Sequence, residues 1–241
     1  MNRKRRNKRN KSIYFLWLLP IMAVIVCCII YFGRESCGKD RRTPDTVSTS
    51  AVSANAWNLL LVNPWNELPD SFSVSLTEFD NGHAIDSRAY TDLQNMMDAA
   101  RAEGLDPLIC SSYRSFETQE RLFTNKVNFY LAEGYTQEEA EKEAGKWVAL
   151  PGTSEHQTGL AVDIVAMSYQ VLDENQEHTA EQRWLMENSY RYGFILRYPT
   201  DKSHITGINY EPWHYRYVGK EIAREIYEQG LCLEEYLEGI S

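Results

Sequence analysis

Ser154-Glu155-His156-Gln157-Thr158-Gly159-Leu160-Ala161-Val162-Asp163, running on through Ile164 and Val165, is the stretch whose reading decides the fold. Its first half is polar and closes on a glycine, which suits a loop. Its second half is a short apolar run, which suits a strand. Side chains alternate across a strand, so Ala161, Asp163 and Val165 share one face. His156 lies in the loop just before, and Gly159 permits the turn that brings it back toward Asp163.

A second stretch, Glu211-Pro212-Trp213-His214-Tyr215-Arg216-Tyr217-Val218, has the same character. Pro212 disfavours a helical conformation at Glu211. The strand that follows places His214, Arg216 and Val218 on one face and Trp213, Tyr215 and Tyr217 on the other. Glu211 then stands at the strand's entrance, close to His214.

Working outward, helix and strand signals mix. Ser87–Glu103 carries Tyr90, Leu93, Met96, Met97 and Ala100 on one helical face and is closed by Gly104. Pro107–Ser112 reads as a strand. Ser115 caps a helix running to about Glu133. Thr136 to Glu139 forms a capping box for a helix reaching Val148, broken by Pro151-Gly152. Thr179 to Gln182 is a second box, opening a helix to Tyr192. Phe194–Tyr198 is a further strand, and Gly219–Gln229 a helix followed by a short terminal one. The expected class is α+β: a small antiparallel sheet with helices packed around it and the functional site in a cleft on the sheet.

The ends of the chain read differently. Residues 1–12 hold seven Lys/Arg and no acid, and Ile13–Phe32 is a run of twenty uncharged residues. Such a run is long enough to cross a hydrocarbon core of about 30 Å, with its basic flank in the cytoplasm. A cleaved signal peptide fits less well, because the run is long and no small-x-small site follows closely. The expected organisation is a cytoplasmic basic tail (1–12), a transmembrane signal-anchor (13–32), a linker (33–56) and one extracellular domain (57–241). The expected localisation is the cell membrane, single-pass, with the domain outside.

Charge separates along the same lines. The total is −9 and residues 1–42 contribute +9, which leaves −18 for residues 43–241. A domain that acidic is a poor match for nucleic acid, whose phosphates need clustered Lys/Arg. Of the five cysteines, Cys110 and Cys232 fall in the domain. A buried free thiol at Cys110 is the expectation, with a Cys110–Cys232 bridge as the alternative in an oxidising compartment.

The two motifs together supply two imidazoles, a carboxylate ligand and a spare carboxylate. That is the inventory of a catalytic zinc site: three protein ligands, an open fourth position, and a base beside it. His156, Asp163 and His214 are the expected Zn2+ ligands and Glu211 the general base, with amide hydrolysis as the reaction class. Any one histidine is more often an ordinary surface residue, and His83, His178 and His204 are read that way.

Ser154-x-His156-x-x-Gly159-x-Ala161-x-Asp163 with Glu211-x-Trp213-His214 resembles the zinc signature of peptidase family M15, the VanY-type D-alanyl-D-alanine carboxypeptidases, in the wider group that holds lysostaphin and Sonic hedgehog. Ser112-Tyr113-Arg114-Ser115-x-x-x-Gln119 is similar to that family's segment for the substrate's terminal carboxylate, and the likeness takes in Arg197-Tyr198-Pro199 and Thr206-Gly207-Ile208, over roughly residues 60–230. The resemblance implies a monomeric zinc carboxypeptidase that removes the terminal D-Ala from D-Ala-D-Ala ends of peptidoglycan stem peptides. Arg114 would hold the free carboxylate with its planar fork of donors. Tyr113, Ser115, Gln119 and Ser154 would add neutral contacts. Ser115 reads equally as a plain helix cap, and Trp213 either lines the pocket or fills the core. An L,D-carboxypeptidase acting on tetrapeptide stems and a non-catalytic cell-wall binding module are the alternatives.

Overall fold

The computed structural model describes residues 56–240. Two short strands, Leu76–Glu78 (β1) and Ala84–Asp86 (β2), form an antiparallel hairpin. Helix α1 (Tyr90–Ala102) follows, then β3 (Pro107–Ser111), α2 (Phe116–Ala132) and α3 (Gln137–Ala144). A 3-10 turn at Glu155–Thr158 leads into β4 (Ala161–Ala166). Then come α4 (Ala180–Asn188), β5 (Phe194–Leu196), a single helical turn α5 (Ser203–Thr206), β6 (His214–Tyr217), α6 (Lys220–Gln229) and α7 (Leu233–Ile240). The main sheet has the order β3-β4-β6-β5, and every neighbouring pair is antiparallel. The expected α+β class holds.

Register decides which side chains meet. Asp163 is directly opposite His214, Ala161 opposite Arg216, and Ser111 opposite Asp163. With a side-chain period of two, Val162, Ile164 and Tyr215 must then point the other way. They pack with Ile109, Phe194 and Tyr217 against Leu93, Met96, Met97 and Ala100 of α1 and against Trp184 and Leu185 of α4. The four α1 residues sit at i, i+3, i+4 and i+7, the spacing that makes one helical face apolar. A second cluster joins Ile195, Val218 and Leu59 to Ile222, Ala223 and Ile226 of α6 and Leu233 and Tyr236 of α7.

Gly159 has φ +72, and a Cβ there would lie 3.1 Å from both the Asp86 amide nitrogen and a Leu76 methyl. Glycine suits this point on both counts: the left-handed conformation and the close approach of the hairpin. The Asp86 N–H donates to the Gly159 carbonyl at 2.8 Å, so the hairpin braces the turn that precedes β4.

Several elements depart from expectation. The β1–β2 hairpin was not foreseen, because three-residue strands have too short a pattern to show alternation. Helix α3 stops at Ala144 and is capped by Gly145, not at Val148. Residues 145–149 turn instead, which brings Trp147, Val148 and Ala149 to the cleft described below. The helix after Thr179 tightens into a 3-10 turn at Ser189–Tyr192. Cys110 is a free thiol as expected, though half-buried rather than fully buried, and Cys232 is free and buried.

The expected membrane localisation is corrected. Among the described residues no helix is long and apolar enough to cross a membrane. The longest, α2, has 17 residues and includes charged ones along its length. The span expected at 13–32, the basic tail and all of the linker but Ala56 lie outside the described residues.

Candidate active site

The 3-10 turn and the paired strands bring the first motif onto the second. His156 projects from the turn, Asp163 from the third position of β4, and His214 from the first position of β6. One ligand atom from each lies within 4.8 Å of the others, and all three residues are buried. His156 Nε2 is 3.3 Å from Asp163 Oδ2, and His214 Nδ1 is 3.1 Å from Asp163 Oδ1. Glu211 stands beside them, its Oε2 3.6 Å from His214 Nδ1.

The partners of each ring fix its tautomer. His156 Nδ1 lies 2.8 Å from the Ser112 carbonyl, which only accepts, so Nδ1 carries the hydrogen and Nε2 faces the centre with a lone pair. His214 is used the other way round, with Nδ1 toward Asp163 and Glu211 and Nε2 toward Glu155 Oε2 at 3.5 Å.

Electrostatics separate the two rings. Burial and the Arg114 charge push His156 down to about 4, with Asp163 opposing. Burial also disfavours a charged His214, but the neighbouring Asp163 and Glu155 carboxylates outweigh it and raise the ring to about 9. Burial pushes the Glu211 carboxyl up to about 8; His214 opposes the rise and the Asp163 charge adds to it. Burial would raise Asp163 too, yet the two imidazoles hold it well below the usual carboxylate range.

A test on unsatisfied atoms supports a cation here. Among the described residues four buried side-chain polar atoms lack a hydrogen-bond partner: Asp163 Oδ1, His214 Nε2, Glu155 Oε2 and Trp184 Nε1. Of these, Asp163 Oδ1 faces the centre, whereas His214 Nε2 and Glu155 Oε2 face each other behind it. A buried carboxylate oxygen left unpaired between two imidazoles is unusual, since buried polar atoms are nearly always paired. Two imidazole nitrogens and a carboxylate oxygen are the borderline donor set that zinc takes, and a tetrahedral zinc site with three protein ligands keeps one position open. The residues fit the ion.

The other expected site residues fall into two groups. Arg114, Ser154 and Trp213 line a cleft of about 460 Å³ with the metal-site residues. Arg114 donates from Nη2 to Asp163 Oδ2 (2.8 Å), from Nε to Ser111 (3.0 Å) and from Nη1 to Gln119 (3.3 Å). A guanidinium has five N–H groups, so one remains on each terminal nitrogen. Gln119 is fully buried; it donates to the Ala149 carbonyl at 2.7 Å and accepts from Arg114, so it meets the cleft only through Arg114. Ser115 accepts from the Thr118 amide as the cap of α2. Tyr113, Ser115 and Gln119 are not among the cleft-lining residues.

Two features escaped the sequence reading. Trp147, Phe129 and Leu172 form an apolar wall of the cleft, and Tyr198 packs on His214 with ring centroids 4.7 Å apart. Glu155, next to a metal-site histidine, is fully buried between Arg197 and Arg216. The signal was present: arginines inside strands otherwise read as buried need an acid partner.

A two-histidine, one-aspartate centre with a carboxylate beside it, on a small antiparallel sheet, defines the class of single-zinc peptidases. Comparison with known proteins places the chain within that class. The VanY family (D-alanyl-D-alanine carboxypeptidase) matches residues 82–220. A D-alanyl-D-alanine carboxypeptidase of Enterococcus faecalis is 53% identical over 181 residues, covering 75% of this chain and 66% of the relative, so the match spans about two thirds of that protein. The solved structure of a vancomycin-resistance D,D-pentapeptidase VanY variant, in complex with Zn(II), superposes with a TM-score of 0.69 at 52% identity, covering 75% of this chain and 99% of the other. VanYB in complex with D-alanine-D-alanine superposes with a TM-score of 0.70 at 53% identity, covering 76% and 98%. The chain belongs to the VanY family of zinc metallopeptidases.

Proposed function

We propose that this chain is a zinc D,D-carboxypeptidase that removes the terminal D-Ala from peptidoglycan stem peptides ending in D-Ala-D-Ala. The observation that carries the reading is the place of Glu211: a buried carboxylate 3.6 Å from the centre-facing nitrogen of His214, in the same cleft as Arg114.

His156, Asp163 and His214 would hold the ion. Zinc there supplies Lewis acidity, lowering the pKa of a water and polarising the scissile carbonyl. Glu211 would accept a proton from the attacking water and pass it to the leaving amine. Burial raises the proton affinity of the Glu211 carboxyl, which suits a group that must accept and then release a proton. Arg114 offers its two remaining N–H groups to the free carboxylate of the substrate, a charge-assisted contact that a chain end provides and a mid-chain peptide does not. Ser154 and Trp213 line the same cleft, and Trp147, Phe129 and Leu172 offer it apolar surface for the apolar part of the stem. The relative that binds D-alanine-D-alanine supports the substrate class.

The experiment is mass spectrometry of pentapeptide and tetrapeptide stems incubated with the protein, zinc-loaded or chelated. Release of one D-Ala from the pentapeptide, only with zinc, is expected. Release from the tetrapeptide alone would make it an L,D-carboxypeptidase. Zinc binding with no release from either would make it a binding module.

A further inference from the structure

Beneath the metal centre lies a closed set of four buried charges that the hydrolysis does not use. Glu155 Oε1 accepts from Arg197 Nε at 2.7 Å and from Arg216 Nη1 at 2.6 Å. Arg197 turns its two terminal nitrogens onto Glu234 of α7, at 2.8 and 2.7 Å. Arg216 Nη2 donates to the Asn58 and Leu60 carbonyls, and Asn63 donates to Glu234. Both arginines and Glu155 are essentially without solvent exposure. Two carboxylates balance two guanidiniums, so the set is neutral, and every nitrogen of each arginine donates to at least one oxygen.

One atom breaks this closure. Glu155 Oε2 has no hydrogen-bond partner, and neither does His214 Nε2; the two face each other at 3.5 Å. With Nδ1 of His214 turned to the metal centre, Nε2 is the ring's remaining N–H, and Glu155 is the acceptor placed for it. Metal-bound imidazoles are commonly oriented this way by a carboxylate on the far nitrogen.

We infer that Glu155 is a positioning residue, held rigid by Arg197 and Arg216, which fixes His214 as an Nδ1 ligand and so raises zinc affinity. The inference rests on the zinc-site reading above. It gives the 3-10 turn Glu155–Thr158 two tasks: His156 supplies one ligand and its neighbour buttresses another. It also ties the ligand to α7 through Arg197 and Glu234, a path of ion pairs from metal to C-terminal helix.

Removing Glu155 alone strands two buried cations, which costs stability and clouds the result. The test therefore uses two charge-balanced pairs in the full chain: E155Q/R216M, which takes the carboxylate from His214, and R197M/E234Q, which dismantles the distal half. Zinc affinity is measured by competition with a chelator, folding by circular dichroism and chemical denaturation. The His214 imidazole N–H is followed by proton NMR of the zinc-loaded protein. E155Q/R216M is expected to weaken zinc binding about 10- to 100-fold and to make the His214 N–H exchange with solvent. R197M/E234Q is expected to lower stability with a much smaller change in affinity and a retained N–H signal. Equal losses of affinity in both pairs, or wild-type affinity in a folded E155Q/R216M, would overturn the inference. Failure of the wild-type chain to bind zinc would instead sink the zinc-site reading itself. If E155Q/R216M fails to fold, E155D alone decides the matter, since its shorter carboxylate can remain between the arginines yet withdraw from His214. Unchanged affinity in E155D would then overturn the inference.

Discussion

The two faces of the four-stranded sheet are built from alternate residues of the same strands, yet their chemistry is opposite. Val162, Ile164 and Tyr215 enter a dry core against α1 and α4. Asp163, His214 and Arg216, each the immediate neighbour of one of those, carry the ionic face. Both faces are almost fully buried. The difference lies in what satisfies them. The apolar face is held by removal of hydrocarbon from water, which tolerates modest change in side-chain shape. The ionic face depends on specific pairings, because a buried charge without its partner is strongly destabilising. A slip of one residue in the β4–β6 register would exchange the two faces, so the pattern of alternation also specifies the pairing.

The comparison breaks most sharply at Glu211. Glu211→Gln removes the base and keeps the shape of the site; kcat should fall about 10²- to 10⁴-fold while zinc stays bound. Steady-state kinetics with metal analysis on the same sample checks this. A wild-type rate in that variant would take the base role from Glu211.

On the apolar face the expected outcome is reversed. Leu93→Ala should lower stability by about 2–5 kcal/mol, read from urea unfolding, because it leaves a cavity against the sheet. Its kcat/KM at a temperature where it is folded should match wild type. Loss of activity in the folded variant would show that the faces are coupled more tightly than described.

A third test uses pH. Burial pushes the Glu234 carboxyl up, but Arg197 outweighs it and holds the group below its ordinary value. A carboxylate with a depressed folded pKa stabilises the fold above its unfolded pKa, and that stability is lost as pH falls through the folded pKa. Denaturation midpoints should therefore drop as pH falls below about 4.3, the usual glutamate value. Glu234→Gln should be less stable at neutral pH and should show a shallower decline in acid. An unchanged slope would mean that Glu234 contributes no linkage.

The smallest effect separates a cap from a contact. Ser115→Ala should cost about 1 kcal/mol in stability through the lost cap of α2 and leave KM unchanged. A raised KM without loss of stability would make Ser115 a substrate contact after all.

The ionic face was legible in the sequence to the extent that it obeys alternation. Period two alone sorted Asp163 with Ala161 and Val165 on one strand and His214 with Arg216 and Val218 on another, and Gly159 marked the turn that returns His156. The β4–β6 register then sets Asp163 opposite His214. What alternation cannot show is which buried charges find each other. Glu155 sits 42 residues from Arg197 and 61 from Arg216, and only the folded sheet brings them together. The same limit hid how far the fork of Arg114 is occupied, with three of its donors engaged by Asp163, Ser111 and Gln119. Helix α3 was read too long because 145–148 continues a helical pattern locally, whereas the cleft needs Trp147 turned toward it.

The most direct measurement is D-Ala release from a D-Ala-D-Ala-ended pentapeptide stem, followed by mass spectrometry for wild type and E211Q, each zinc-loaded. Wild type should release one D-Ala per stem, and E211Q, with zinc still bound, should release it at least a hundredfold more slowly, the lower end of what a general base contributes. Equal release by the two proteins, or none by a zinc-loaded wild type, would contradict the assignment of this site as a carboxypeptidase centre with Glu211 as its base.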